Sequence, residues 1–210
     1  MGGVAADVRM QTELPGLLVA GEAVGGANGA NRLSGNAITE ALVFGRQAGR
    51  TAAARAKAVR AVPARPDAAR ETIELLSGEG PQDQPNSAEL LARLQAVMSD
   101  DVGPLRTSDG LTRALEAIDA MTGEIGERPF GGTGPFDMAR LDWFDLRNML
   151  LVAHTVTKAA LARTESRGAH QREDFPGMLE KWHVNQVARL AGQTVTLTSV
   201  PAAPIAQAAQ

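Results

Sequence analysis

The chain has 210 residues, of which 21 are basic and 24 acidic, for a formal net charge of -3; it is long enough to bury a core and carries no basic field to attract a phosphate backbone. It contains no cysteine, which excludes a disulfide framework, a thiol nucleophile and a cysteine-ligated iron-sulfur cluster within it. No stretch approaches the roughly 20 apolar residues of a membrane-spanning helix, and the opening Met1-Gly-Gly-Val has neither a charged leader nor an apolar signal core. A soluble cytoplasmic chain is expected, with no nucleic-acid partner and no direct membrane insertion.

Taken in order, Leu14 to Gly16 is a turn signal and Leu17 to Ala20 is a short apolar run, as expected of a strand buried on both faces. A glycine-rich stretch, Gly21 to Gly35, leads into a helix from Ala37 to about Arg60, with Ile38, Ala41, Leu42, Ala48 and Ala52 spaced for one buried face. Strand, glycine loop and helix in that order present backbone amides to a cofactor. Prolines at 63, 66, 81 and 85 bracket a short helical segment, Ala68 to Leu76, and mark a boundary between two units.

Beyond it three amphipathic stripes are predicted. Leu90, Leu91, Leu94, Val97 and Met98 form the first; Leu111, Leu115 and Ile118 the second, with Thr107 and Ser108 as candidate caps; Leu141, Phe144, Leu150, Ala153, Val156 and Ala160 the third. The loop Arg128 to Pro135 separates the last two. Three one-sided helices bury their stripes most economically against one another, as a small bundle. Thr194 to Val200 alternates as a strand, returning toward the first unit, before a frayed tail. The fold class is α+β, mostly α.

Two blocks carry a resemblance. Pro15-Gly-Leu-Leu-Val-Ala-Gly-Glu-Ala, Gly29-Ala-Asn-Arg-Leu-Ser-Gly-Asn-Ala-Ile and Glu40-Ala-Leu-Val-Phe-Gly resemble the late flavin-binding motif of the succinate dehydrogenase/fumarate reductase flavoprotein family. Leu146-Arg-Asn-Met-Leu-Leu-Val-Ala, followed by Ala162-Arg-Thr-Glu-Ser-Arg-Gly-Ala-His-Gln-Arg-Glu-Asp-Phe-Pro, resembles the C-terminal helical signature of the same family. L-aspartate oxidases share both blocks. The resemblance implies that residues 1–60 close an FAD-binding domain, 61–84 link, 85–177 form a three-helix C-terminal domain, and 178–210 hold the return strand and tail.

It also implies roles. Glu22 matches the carboxylate that accepts hydrogen bonds from the ribityl hydroxyls. Asn36 stands in the cofactor-binding stretch, and Ala37 and Ile38 match the positions whose amides face the pyrimidine end of the flavin. Arg32 matches the arginine that clamps a substrate carboxylate. The implied reaction is hydride transfer between FAD and a dicarboxylate such as succinate or fumarate. The implied partners are an iron-sulfur subunit and a missing N-terminal FAD-binding portion, with a place at the inner membrane face through partner subunits. Two departures stand out. Asn28 occupies a position where the family usually has histidine, which implies a different or relaxed substrate preference, and no Rossmann glycine fingerprint is present. The chain is therefore expected to be a fragment, inactive alone; the alternatives are an L-aspartate oxidase-like fragment and a non-catalytic helical interaction module.

The charged block Arg163 to Pro176, with His170, is read as structural, with charges near a helix end expected to hydrogen-bond to the adjoining domain and fix how the bundle docks. His154 and His183 lack a second ligand at metal spacing, so no metal site is expected. Trp143 and Trp182 are read as docking anchors rather than flavin-stacking groups.

Overall fold

The computed structural model describes residues 2–29, 35–60, 66–78, 80–81, 85–132, 134 and 136–202. They fall into two compact units, Met1–Ala64 with Arg167–Ala169, and Arg65–Ser166 with His170–Gln210.

In the first unit, Pro15 and Gly16 occupy the centre of a turn closed by the Leu17 N–H on the Leu14 carbonyl at 3.1 Å, and Gly16 takes φ +96°, the left-handed value a type II turn requires at its third residue. The turn sets Leu18 opposite Gln11 in an isolated antiparallel bridge, while Val4 bridges Val24 in parallel. The expected strand at Leu17–Ala20 is therefore corrected: the run makes one bridge, not a ladder, and Leu17 is 51% exposed. Apolar character alone does not make a strand without neighbours long enough to pair with it on both sides.

Helix α1 spans Asn36–Ala58, close to the expected span. Gly35 precedes it at φ +93°, and its alanine-rich second half, with Arg55 and Lys57 in the last turn, suits both helix propensity and the negative end of the dipole. The predicted buried face is also corrected. No α1 residue is buried, and Ile38 and Leu42 are each 69% exposed. The half-covered line runs instead through Ala37, Glu40, Phe44, Gln47, Ala48, Thr51 and Arg55. Polar anchors select it: the Thr51 hydroxyl donates to the Arg9 carbonyl at 2.8 Å, and Asn28 donates to Glu40.

The second unit opens with a 3-10 turn at Pro66–Ala69 and helix α2 at Arg70–Ser77. It continues with α3 (Ser87–Asp100), β1 (Leu105–Arg106), α4 (Ser108–Ile125) and α5 (Met138–Ala162). Then come β2 (Gln171–Arg172), β3 (Val184–Ala191) and β4 (Thr194–Pro201). The three long helices are capped by their own sequence. The Asn86 side chain accepts from the N–H groups of Ala88 and Glu89, Thr107 from Gly110, and Asp137 from Arg140. Their stripes converge on a core of Leu90, Leu94, Ile118, Met121, Ile125, Phe130, Trp143, Leu146, Leu150 and Ala153. A second cluster joins Val102, Leu111, Ala114 and Ala160.

The bundle is thus as predicted, with shifts of face. Leu115 is only half-buried, and Leu141 and Val156 are 49% and 41% exposed. Two wholly buried residues absent from the predicted stripes, Trp143 and Met121, take the central places. Trp143 also donates its indole N–H to the Ile125 carbonyl at 3.0 Å, which closes the end of α4. Arg140 does the same for α2: its guanidinium bonds the Leu75, Leu76 and Gly78 carbonyls at 2.9, 2.8 and 2.6 Å.

The predicted terminal strand is present as β4, but its partner is the unpredicted β3. They form an antiparallel hairpin with Ala191 opposite Thr194 and Gly192 at φ +62° as the first of two loop residues, the arrangement of a type II′ turn. Lys158 of α5 ties the hairpin down through the Val195 carbonyl at 2.6 Å.

Candidate functional site

The residues singled out near the N-terminus collect around the start of α1. Gly21–Ala23 forms a 3-10 turn with Glu22 at its centre, exposed. The turn is held by the Val24 N–H on the Gly21 carbonyl at 3.1 Å, and by the Val4 N–H on the Ala23 carbonyl at 2.8 Å. Gly3 and Gly25 back onto one another: a Cβ on Gly3 would stand 2.6 Å from the Gly25 nitrogen, so only glycine permits the approach. The Glu22 turn lies against α1, where a Cβ on Gly21 would be 3.7 Å from the Ala41 Cα.

The helix itself begins without a side-chain cap at Gly35. The Ile38 N–H donates to the Gly35 carbonyl at 3.1 Å, and the amides of Asn36 and Ala37 stand in the same first turn, at a pole of roughly half a positive charge. Ala37 is half-buried and Asn36 exposed. A carboxylate turn beside an open helix N-terminus can accept from hydroxyls and donate to an electron-rich carbonyl edge at once. Arg32, the predicted carboxylate clamp, lies outside the described residues.

Sequence reasoning assigned no role to Glu40, yet its carboxylate receives the Asn28 side-chain amide at 3.3 Å. A polar residue on the covered line of α1, inside a block already singled out, was the available signal.

The charged block after α5 assembles within the second unit as a structural network. Arg172, 1% exposed, donates to the Ala160 and Leu161 carbonyls at 3.0 and 3.1 Å and so closes the C-terminus of α5. The same guanidinium meets both Asp174 oxygens at 2.8 Å, and Asp174 in turn accepts from the Ser108 N–H at 2.9 Å at the start of α4. One ion pair thus joins the negative end of one helix to the positive end of another. The Arg172 guanidinium holds the Asp174 carboxyl well below the usual carboxylate range, with Ser108 adding to the effect. Arg163 bonds Glu165, which is fully buried, and the Trp182 and Val184 carbonyls at 2.7, 2.9 and 2.7 Å, and lies over the Trp182 ring. His170 takes an N–H from Arg106 on Nδ1 at 2.7 Å, so Nε2 carries its proton and donates to the Arg163 carbonyl at 3.1 Å. Burial first, and neighbouring arginines next, keep its pKa below the ordinary histidine value. This histidine is a neutral clasp.

Comparison with known proteins adds four findings. A family model described as fumarate reductase flavoprotein C-term matches residues 91–206. An uncharacterised FAD-dependent oxidoreductase of Methanocaldococcus jannaschii is 40% identical over 191 residues, 90% of this chain and 34% of its own length. The L-aspartate oxidase of Caulobacter vibrioides is 41% identical over 177 residues, 84% of this chain and 28% of its own. The structure of Mycobacterium smegmatis Sdh1 in complex with UQ1 superposes with a TM-score of 0.85 at 35% identity, over 97% of this chain and 35% of that one. The chain spans about a third of the length of the proteins it matches.

Proposed function

We propose that this chain, which belongs to the fumarate reductase flavoprotein C-terminal family, is the C-terminal part of an FAD-dependent oxidoreductase that interconverts succinate and fumarate or a similar dicarboxylate. The observation that carries the reading is the placement of the Glu22 turn against α1, whose N-cap residue, Gly35, supplies no side-chain cap. That donor set fits a flavin: a carboxylate for its ribityl hydroxyls and a positive helix pole for its pyrimidine edge. FAD, when bound, would supply the hydride chemistry at the carbon-carbon bond of the substrate. The chain's own share is orientation and charge. Glu22 would accept from the ribityl chain, Asn36, Ala37 and Ile38 would line the flavin edge at the helix entrance, and Arg32 would clamp a substrate carboxylate with its planar fork.

The same reading makes an iron-sulfur subunit the electron partner and the remainder of the FAD domain a required companion, with attachment to a membrane through other subunits. Among the described residues no helix is long and apolar enough to cross a membrane. Within the 210 residues there is no glycine fingerprint for the dinucleotide pyrophosphate. The groups present would then fall short of the several kcal/mol lost when a ligand is immobilised, so the chain alone would neither retain FAD nor reduce fumarate. The 41% identity to an L-aspartate oxidase favours, as a second reading, an amino dicarboxylate as the substrate.

The test adds FAD to the purified chain, alone and together with a family N-terminal FAD-binding segment. Bound flavin absorbance is then measured, as is turnover of succinate, fumarate and L-aspartate. A flavin complex and turnover only in the combined sample are expected, with Arg32→Lys lowering turnover while flavin is retained. A stoichiometric, active flavin complex of the chain by itself would refute the fragment reading, and loss of flavin in Arg32→Lys would refute the role of Arg32.

A further inference from the structure

Two loop segments that flank the flavin-facing site are pinned to adjacent residues of one helical turn. The Glu22 turn rests on Ala41, through the 3.7 Å approach at Gly21, and the loop that follows is fastened to Glu40, whose Oε2 receives the Asn28 Nδ2 at 3.3 Å. Asn28 and Glu40 are both half-buried and stand 12 residues apart in the chain. Glu40 lies one helical turn beyond Asn36, on the line of α1 that the rest of the unit covers. Its charge also sits near the positive pole of α1, which stabilises the carboxylate where it stands.

We infer that Glu40 is a positioning residue: by accepting the Asn28 amide it locks the Gly25–Gly29 loop against α1, in register with the Glu22 turn and the first-turn amides. This rests on the flavin-facing reading of that edge. The physical case is one of alternatives. Gly25 is held by its N–H on the Val4 carbonyl at 3.0 Å, but beyond it Gly26 and Gly29 give the loop wide backbone freedom, and Gly26 takes φ +84°. A loop so rich in glycine does not hold one conformation by its own preferences, and its ordering entropy must be offset by a contact. The Asn28 bond is such a contact, and it is charge-assisted, which makes it stronger than one between neutral groups. Asn28 contributes through its Nδ2, so the bond also fixes which way the amide faces and leaves Oδ1 as an acceptor.

The experiment compares Glu40→Ala, Glu40→Gln and Asn28→Ala, with the double variant Asn28→Ala/Glu40→Ala. One arm follows amide hydrogen exchange of Gly25–Gly29 in the 210-residue chain; the other measures FAD affinity of the chain combined with the N-terminal FAD-binding segment. Glu40→Ala should speed exchange and weaken FAD binding by about tenfold each, a change of the size expected for one lost charge-assisted bond. Glu40→Gln, whose Oε1 still accepts, should lie near wild type. The double variant should be no worse than the worse single one, as for residues that act through one bond. Wild-type behaviour of Glu40→Ala in either arm, or equal damage from Glu40→Gln, overturns the inference. Glu22→Gln separates the two levels. If it loses flavin while Glu40→Ala does not, the positioning role fails and the site reading stands. If the wild-type combination binds no FAD, the site reading fails and takes the positioning role with it.

Discussion

Helices α1 and α4 have the same kind of sequence pattern and opposite fates. In the 18 residues of α4, Gly110, Leu111, Ala114, Ile118, Met121 and Ile125 are buried, whereas in the 23 residues of α1 none is. Helix α4 packs against α3 and α5, whose sequences carry matching stripes, and its two ends are fastened by Thr107 and by the Trp143 indole. Helix α1 is touched along a line of small and polar residues, and its largest aliphatic side chains point to solvent. Periodicity of 3.6 shows that a segment can be a helix; coverage depends on what the rest of the chain brings to it. The helical unit satisfies its own faces and ends, while the N-terminal unit leaves exposed the kind of surface that marks an interface.

The contrast can be broken most directly at Arg172. Replacing it by Ala leaves Asp174 and the last carbonyls of α5 without their buried partner, and should cost about 3–5 kcal/mol in the urea unfolding of the chain. An unchanged midpoint would mean that the helical unit does not depend on its charged network. Next in size, Leu111→Ala, at a site with 0% exposure, should cost about 2–5 kcal/mol. Leu115→Ala, half-buried on the flank of the same helix, should cost less than Leu111→Ala; equal losses at both would put Leu115 back in the core.

Acid should sharpen the comparison by weakening the helical unit. Asp174 has a lowered folded-state pKa, so its contribution is complete above the unfolded value of about 3.9 and is lost as pH falls below it. His170, also lowered, contributes fully above about 6.5 and less as pH falls through its folded value, because its clasp needs the neutral ring. Asp174→Asn should therefore be less stable than wild type at neutral pH and converge with it in acid, followed by circular dichroism at 222 nm. Curves that stay parallel to low pH would assign the stability elsewhere. The smallest effect belongs to α1: Ile38→Ser with Leu42→Ser should change stability by no more than about 0.5 kcal/mol and reduce self-association in sedimentation velocity. A loss of several kcal/mol would show that this face is already covered.

Capping and turn chemistry were legible because they are local. Thr107, one of the two candidate caps, caps α4, and Gly16 adopts the positive φ of the turn expected at Leu14 to Gly16. The proposed flavin edge rests on the same kind of reading, residues in a fixed order from Glu22 to Ile38. The sequence by itself determined which segments form the long helices and that the chain carries no thiol. Tertiary structure decided which face each helix buries, that β4 pairs with β3 in a hairpin, and that Arg172, Arg140 and Trp143 close the ends of α5, α2 and α4. The physical reason is range. A cap or a turn is settled by neighbours within about four residues, but a guanidinium that satisfies carbonyls of another helix 62 to 65 residues away, as Arg140 does, is specified only once packing has brought both to one place.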